Sequence, residues 1–184
     1  MADVPQEPAL LQEFTSPDQV GPELEQLLAE CWVEVTNSGG AAGFPFPPIG
    51  LPEAARAVDA LVAALAPDSC RLLTATTADG ELAGWLCLRR DPFDLIAHWG
   101  TLHHLQTRPG VRGDGHGTAL LQEVRRIARD EMGLEQLHLA VRGGAGLEGF
   151  YARHGWQEVG RWTGALRFAP EDDRDEVLML LDPL

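Results

Sequence analysis

The feature that most constrains this chain is a glycine-rich segment, Arg112 to Thr118, between a strand-like and a helix-like segment. Residues 97–107 before it have the pattern of a strand, and residues 119–132 after it have the periodicity of an amphipathic helix. A glycine-rich turn that opens a helix leaves backbone N–H groups unpaired at the positive end of the helix dipole. The segment therefore predicts a binding site for a phosphate or pyrophosphate group. The alternative is a glycine-rich helix N-terminus that binds no ligand.

The spacing of the glycines separates this turn from the common nucleotide-binding loops. A Rossmann loop needs Gly-x-Gly-x-x-Gly, whereas the glycines here occupy positions 113, 115 and 117. A Walker loop ends in Gly-Lys-Ser/Thr, and the chain contains no lysine. The pattern that fits is Arg-x-x-Gly-x-Gly, formed by Arg112, Gly115 and Gly117.

The composition narrows the class of partner. The chain has 184 residues, 45% of them apolar, and a formal net charge of −14, which is typical of a globular domain. Because nucleic-acid binding requires a basic surface, no nucleic-acid partner is expected. An acidic surface suits a cationic small molecule such as an amine, although acidity for solubility alone is an equally simple explanation.

The same composition indicates a cytoplasmic protein with no membrane partner. The N-terminal residues lack the basic and apolar regions of a signal peptide, and no segment approaches the ~20 uninterrupted apolar residues that span a membrane. Cys31, Cys70 and Cys87 are odd in number and widely spaced. They are predicted to be buried, reduced thiols, and no metal site is implied.

Alternating apolar patterns predict seven strands. These cover residues 8–15, 71–78, 81–90, 97–107, 136–142, 157–163 and 176–181. Asp79-Gly80 predicts a two-residue hairpin turn between the second and third strands. The last two strands are expected to form a hairpin whose connection, with acidic residues 171–175, is a solvated loop.

Helical periodicity predicts four helices among these strands. The first helix starts at Ser16-Pro17 and ends near Thr36. The other three cover residues 52–65, 119–132 and 147–153. The order β-α-α-β-β-β-α-β-α-β-β predicts one α/β domain over residues 1–184, with a mixed sheet and helices on both faces.

Two motifs at a fixed separation resemble those of the GNAT superfamily of N-acetyltransferases. The first, from Leu105 to Gly117, contains the Arg-x-x-Gly-x-Gly pattern. The second, Phe150 to Trp156, is similar to the family's aromatic-Tyr-x-x-x-Gly-aromatic block. The resemblance implies the GNAT fold, a mostly antiparallel sheet of about seven strands with helices on both faces. It also implies acetyl-CoA as the cofactor.

The resemblance assigns the acetyl-CoA contacts to the first motif. Main-chain groups of the strand before the loop would bind the pantetheine arm as an added strand, and the loop amides would hold the pyrophosphate. The predicted cofactor-binding residues are Leu105, Gln106, Thr107, Arg112, Gly113, Asp114, Gly115, His116, Gly117 and Thr118. Asp114 departs from the family pattern, in which a basic or neutral residue is commoner at this position. Its carboxylate would repel phosphate unless it points to solvent.

The resemblance also suggests the catalytic groups. Tyr151, the single tyrosine in the chain, matches the family tyrosine that protonates the leaving thiolate; otherwise it is a core aromatic. Many relatives carry a glutamate base where this chain has Thr101. His103, two residues on and on the same strand face, is the candidate base, unless it is a structural histidine. Strict alternation predicts that His104 points the other way.

The proline- and glycine-rich segment from Asn37 to Gly50 is predicted to overhang the acceptor site. Phe44, Phe46 and Ile49 would form an apolar wall, and Phe44, Phe46 and His104 are the candidate substrate contacts. Part of this segment, Gly39 to Phe44, resembles the corresponding loop of tabtoxin-resistance-type acetyltransferases, which modify small amine-bearing compounds.

The expected function is acetyl transfer from acetyl-CoA to a primary amine of a small molecule by direct nucleophilic attack. A protein or peptide N-acetyltransferase is the first alternative, and it predicts an open groove. A catalytically weak CoA-binding sensor is the second. Asp114 and the missing glutamate favour it, as does Gly144, which stands where many relatives carry an asparagine that contacts the cofactor. Trp99, Trp156 and Trp162 are candidates for a homodimer interface or for the core.

Overall fold

A seven-stranded sheet organises the protein in the computed structural model, which describes residues 9–40, 43–44 and 47–184. The strands are β1 (Leu10–Phe14), β2 (Cys70–Thr76), β3 (Leu82–Arg90), β4 (Trp99–Thr107), β5 (Gln136–Arg142), β6 (Gln157–Ala169) and β7 (Asp172–Leu181). They are arranged in the order β1-β2-β3-β4-β5-β7-β6. Every neighbouring pair is antiparallel except β4 and β5, which are parallel.

Helices cover both faces of this sheet. They are α1 (Pro22–Asn37), α2 (Leu51–Ala63), α3 (His116–Arg126) and α4 (Leu147–Ala152). A π-helical turn, Ile127–Glu131, extends α3. Both α1 and α2 carry a proline in the first turn, where its missing N–H costs no hydrogen bond.

Alternation along the strands divides the apolar side chains between two cores. In β2, Leu72 packs in the core under α1 and α2, whereas the next residue, Leu73, packs in the core under α3. Trp32 and Trp85 are buried in the first core, and Leu120 is buried in the second. Each fully buried side chain of this size contributes roughly 1.5–3 kcal/mol, so the sheet is held from both sides.

The observed architecture confirms the predicted mixed sheet of seven strands with helices on both faces. The predicted hairpin after β2 is also present, but its loop has three residues rather than two. Thr77 N–H donates to the Glu81 carbonyl at 2.9 Å, which closes a loop over residues 78–80. Gly80 has a φ of +85°, the left-handed conformation that such loops require.

The prediction that residues 171–175 form a solvated acidic loop is wrong. Strand β6 runs on to Ala169 and β7 begins at Asp172, so these acidic residues belong to a long hairpin. Asp173 pairs with Arg167 at 2.7 Å and Asp175 pairs with Arg161 at 3.1 Å. Cross-strand ion pairs satisfy charges that the sequence pattern assigns to solvent.

The three tryptophans considered for a dimer interface have different environments. Trp156 is buried in the core, which is the second of the two alternatives for this residue. Trp162 is exposed on β6, and the half-buried ring of Trp99 lies 4.1 Å from that of His138. The homodimer itself stays a prediction.

Candidate functional site

Strands β4 and β5 pair over only three residues and then separate. The paired residues are Trp99–Gln136, Gly100–Leu137 and Thr101–His138. Beyond this point, the edge of β4 that faces β5 has no strand partner among the described residues. An open strand edge is the geometry that another extended chain needs for main-chain hydrogen bonding.

The glycine-rich segment ends at the N-terminus of α3, beside this opening. Gly115 has a φ of +82°, which glycine adopts without strain. The N–H of Ala119 donates to the Gly115 carbonyl at 2.9 Å, whereas the N–H groups of residues 115–118 donate to no described residue. Consecutive unpaired amides at the positive end of a helix form an anion-binding site.

A cavity of about 560 Å³, here called the loop cavity, lies between the end of β4, the glycine-rich segment and α4. Most of the predicted cofactor-binding residues line it. These are Leu105, Gln106, Thr107, Arg112, Gly113, Gly115, His116, Gly117 and Thr118. Val35, Gly39 and Gly40, at the end of α1, form part of the opposite wall.

Asp114 is the predicted cofactor-binding residue that does not line the loop cavity. It is exposed, and its N–H donates to the Val111 carbonyl at 3.4 Å. The structure therefore removes the expected conflict between this carboxylate and a bound phosphate, because the residue faces solvent.

Two side chains that line the loop cavity are buried with unpaired polar atoms. Gln106 is 4% exposed, and neither its amide oxygen nor its amide nitrogen has a partner among the described residues. His116 is 7% exposed, and its Nδ1 likewise has no described partner. An unpaired buried polar group costs about 1–3 kcal/mol, so a polar ligand or water at this position is favoured.

A β-bulge in β4 overturns the predicted direction of His104. Trp85 is opposite Gln106 and Cys87 is opposite His103, so β4 carries one extra residue between these pairs. His104 adopts a φ of +57°, which strains a residue other than glycine. Its ring lies 5.7 Å from that of His103 and 4.7 Å from that of Trp32. Both histidines therefore face α1, and the bulge is the reason.

The two histidines are neutral at pH 7. Burial lowers the pKa of His103 to about 4, and the nearby Arg89 guanidinium acts in the same direction. Burial also lowers the pKa of His104 to about 4, with further contributions from His103 and Arg89. Each ring therefore offers one nitrogen lone pair as a hydrogen-bond acceptor across the neutral range, and neither ring carries a second proton there.

These histidines line a second cavity of about 510 Å³, here called the hairpin cavity because the β6–β7 hairpin forms one wall. Thr101, His103 and Ala140 lie on the two separated strands, and Gly43 and Phe44 come from the loop between α1 and α2. The hairpin contributes Ala165, Leu166, Arg167, Phe168 and Glu176. Leu105, Arg142, Leu147 and Tyr151 line both cavities.

Only part of the predicted acceptor loop, among its described residues, lines the hairpin cavity. Phe44 lines it and packs edge-to-face on Trp32, with ring centroids 5.0 Å apart. Ile49 does not line it, because its backbone is held by the Asn37 side chain and it packs on the core under α1 and α2. Phe46 lies outside the described residues.

Tyr151 is buried where the two cavities meet. Its ring packs against Phe150 and Trp156, with centroids 5.2 and 5.7 Å away. Burial raises the pKa of its hydroxyl well above the usual value, so the group stays protonated. It can therefore donate a hydrogen bond to a nearby anionic sulfur but does not act as a base.

Sequence reasoning did not assign several lining residues to the acceptor side, among them Arg142, Phe168 and Glu176. The Arg142 guanidinium donates to the Gly39 carbonyl and lies 4.5 Å above the Phe168 ring. Strand alternation places Arg142 on the same face as Ala140. The hairpin itself was predicted, but its extension to Ala169 and Asp172 was not, and this extension is what brings Phe168 to the same face as Glu176.

Comparison with models of protein families shows which family the chain belongs to. The model of the acetyltransferase (GNAT) family matches residues 22–156, and the chain belongs to this family. It is an acetyltransferase by family, as the resemblance of its two motifs predicts. No curated protein matches the sequence.

Solved structures share the fold at low identity. A GCN5-related N-acetyltransferase from Kribbella flavida is 20% identical over 95% of this chain and 98% of its own, with a TM-score of 0.73. A ribosomal-protein-alanine N-acetyltransferase from Brucella melitensis is 19% identical over 95% and 99%, with a TM-score of 0.71. A nourseothricin acetyltransferase is 27% identical over 64% and 67%, with a TM-score of 0.55.

The remaining features of the described chain concern membranes, metals and thiols. None of its helices combines the length and apolar composition needed to cross a bilayer. It contains no group of three or more His, Cys, Asp or Glu side chains placed to hold a metal ion. Cys31, Cys70 and Cys87 are free and buried, as predicted.

Proposed function

We propose that this protein transfers the acetyl group of acetyl-CoA to a primary amine of a small molecule. The observation that carries the proposal is that the loop cavity and the hairpin cavity meet at Leu105 and Tyr151. A donor in the first cavity and an amine in the second would approach each other through the gap between β4 and β5.

The residues of the loop cavity fit the donor. The unpaired amides of residues 115–118 suit a pyrophosphate, and the unpaired edge of β4 suits an extended amide-bearing arm. The unpartnered side chain of Gln106 supplies a further donor and acceptor along that arm. Acetyl-CoA, when bound, supplies the acetyl group as an activated thioester.

The residues around the gap fit the proton movements of the reaction. An ammonium ion must lose a proton before its nitrogen forms a bond to the acetyl carbon, and the neutral His103 ring is placed to accept that proton, directly or through water. As the carbon–sulfur bond breaks, the protonated Tyr151 hydroxyl is placed to donate to the sulfur. A histidine with a pKa of about 4 releases this proton to water, and the ring is then neutral for the next turnover.

The shape of the hairpin cavity supports a small acceptor. The loop carrying Phe44 and the hairpin carrying Phe168 both line it, whereas a protein terminus needs an open groove. The names of two structural relatives point in different directions, to nourseothricin and to a ribosomal protein. The walls of the cavity in this chain favour the former class.

The first experiment measures thermal unfolding with and without acetyl-CoA. At a concentration 100 times its Kd, a ligand that binds only the native state stabilises it by about 2.7 kcal/mol. We expect a clear rise in Tm for the wild type and none for Gly117→Glu, which places a carboxylate among the loop amides. A Cβ at Gly117 lies 3.4 Å from the nearest atom, so the Cβ that the substitution adds is in ordinary van der Waals contact, and the Tm without ligand reports whether the rest of the side chain is tolerated.

The matched control is Gly21→Glu, at the start of α1, where a Cβ meets nothing within 4 Å. This variant should keep the full acetyl-CoA response. If millimolar acetyl-CoA leaves the wild-type Tm unchanged, the proposed donor is wrong. If it raises the Tm but no amine is acetylated, the CoA-binding sensor is the correct alternative.

A further inference from the structure

Glu176 is the one carboxylate among the described residues that line the hairpin cavity. It lies half-buried on β7, directly opposite Arg142 of β5. Its carboxylate forms no ion pair or hydrogen bond with any described residue, Arg142 included. A carboxylate in a partly enclosed cavity without such a partner retains its full attraction for a cation.

The positive groups of the cavity are already engaged. Arg167 makes two hydrogen bonds of 2.7 Å to Asp173, which neutralises its charge. Arg142 turns to the Gly39 carbonyl and to the face of the Phe168 ring rather than to Glu176. His103 and His104 carry no charge at pH 7, because burial holds the pKa of each at about 4. Arg142 keeps its positive charge, because a carbonyl and an aromatic ring do not neutralise it, and Glu176 is the charged group of the cavity with no ion pair, hydrogen bond or ring contact to a described residue.

The position of Glu176 separates it from the reacting amine. The amine must lie near His103 and Tyr151, at the gap between β4 and β5. Strand β5 lies between β4 and β7, so the backbone of Glu176 is at least two strand spacings, roughly 10 Å, from that of His103. A second ammonium group, several bonds from the reacting nitrogen, can therefore occupy the Glu176 end of the cavity while the first lies at the gap.

We infer that Glu176 binds a second positive charge on the acceptor, so that the preferred acceptors are diamines rather than monoamines. The inference rests on the proposed acetyl transfer and adds the substrate class. One amino group lies at the gap and is acetylated. The other remains an ammonium ion and pairs with Glu176.

The walls between the two ends of the cavity fit the chain that joins the two amino groups. Phe44, Leu105 and Leu166 present apolar surface to the cavity, which suits methylene groups. The net charge of −14 also draws dications more strongly than monocations.

The test compares cadaverine, a five-carbon diamine, with n-pentylamine, its matched monoamine, as acceptors with acetyl-CoA. We expect the wild type to have the higher kcat/KM for cadaverine. In Glu176→Gln that preference should fall by about ten-fold, mainly through KM, because one charge-assisted hydrogen bond is lost. The wild-type KM for cadaverine should rise with salt more steeply than that of the variant, since salt screens this pair.

Glu81→Gln is the matched control, because Glu81 is exposed in the turn between β2 and β3, and it should keep the wild-type preference. A binding readout accompanies the kinetics: with coenzyme A present, cadaverine should raise the Tm of the wild type more than that of Glu176→Gln. Equal losses for both amines in Glu176→Gln would overturn the inference, as would a wild type that does not favour cadaverine.

The outcomes also separate this inference from the proposed function. Absence of acetyl-CoA binding would remove the proposed function itself. Binding of acetyl-CoA with acetylation of monoamines alone, or of neither amine, would leave the donor site intact and reject the diamine assignment.

Discussion

The loop cavity and the hairpin cavity lie on either side of one gap in the sheet, but they are built differently. Four consecutive backbone amides, residues 115–118, form the anion site of the loop cavity. The hairpin cavity is lined by side chains from β4, β5, α4, the loop after α1 and the β6–β7 hairpin. The anion site thus comes from a single continuous segment, and the hairpin cavity comes from five segments that only the folded chain brings together.

This difference explains why the two sites tolerate change differently. A backbone site depends on the conformation of its glycines and on the helix that follows, so most of its side chains are replaceable. A side-chain site depends on each lining residue and on the elements that hold it in place. Tyr151, which lines both cavities, connects the two.

The largest expected effect comes from Tyr151, one of the four residues that line both cavities. Tyr151→Phe should lower kcat by about 100-fold, because it removes the proposed hydrogen-bond donor to the leaving sulfur. The variant should keep its acetyl-CoA-dependent rise in Tm, since the ring still packs against Phe150 and Trp156. Acetylation within two-fold of the wild-type rate would show that Tyr151 is only a core aromatic.

The second prediction is that the hairpin side of the gap is sensitive to pH. His103 and His104 have folded-state pKa values of about 4, below the ordinary value of about 6.5. As the pH falls below about 6.5, the unfolded chain binds protons first, so the free energy of unfolding decreases toward pH 4. The loss should be on the order of 2 kcal/mol for each histidine, after allowance for their partial exposure.

Urea unfolding between pH 7 and pH 4.5 measures this loss. The variants His103→Asn and His104→Asn should each show a shallower decrease, and asparagine tolerates the left-handed backbone at position 104. Identical pH dependence in wild type and variants would mean that neither histidine is held neutral by burial.

The smallest expected effect is at the loop cavity, where backbone amides rather than side chains form the anion site. Asp114 is exposed and faces away from the cavity, so Asp114→Asn should change the Kd for acetyl-CoA by less than about two-fold, as expected for a screened surface charge. Isothermal titration calorimetry at low salt checks this value. A ten-fold gain in affinity would mean that the carboxylate does face the phosphate, as the sequence pattern alone suggests.

Local patterns predicted most of the fold. The strand over residues 136–142 and the helix that opens after the glycines follow directly from periodicity and glycine spacing. The acidic residues of the last hairpin were misassigned, because ion pairs such as Arg167–Asp173 form only when the two strands face each other. The direction of His104 was misassigned because a single-residue bulge is invisible to an alternating pattern.

The residues of the candidate site likewise fall into those that local motifs predicted and those that only the fold brings together. The loop residues and Tyr151 were predictable from two short motifs, since each motif lies within one segment. The participation of Arg142, Phe168 and Glu176 was not, because these residues are distant in the sequence from His103 and share a cavity with it only after the hairpin has folded.

The sequence by itself determined the family, the order of the elements and the segment that presents backbone amides to an anion. These depend on short-range periodicity and on glycine conformation, which neighbouring residues specify. Only the tertiary structure decided which side chains surround the acceptor cavity and which charge there has no partner. Those properties follow from contacts between strands far apart in the chain, where register, a bulge and burial determine what each group meets.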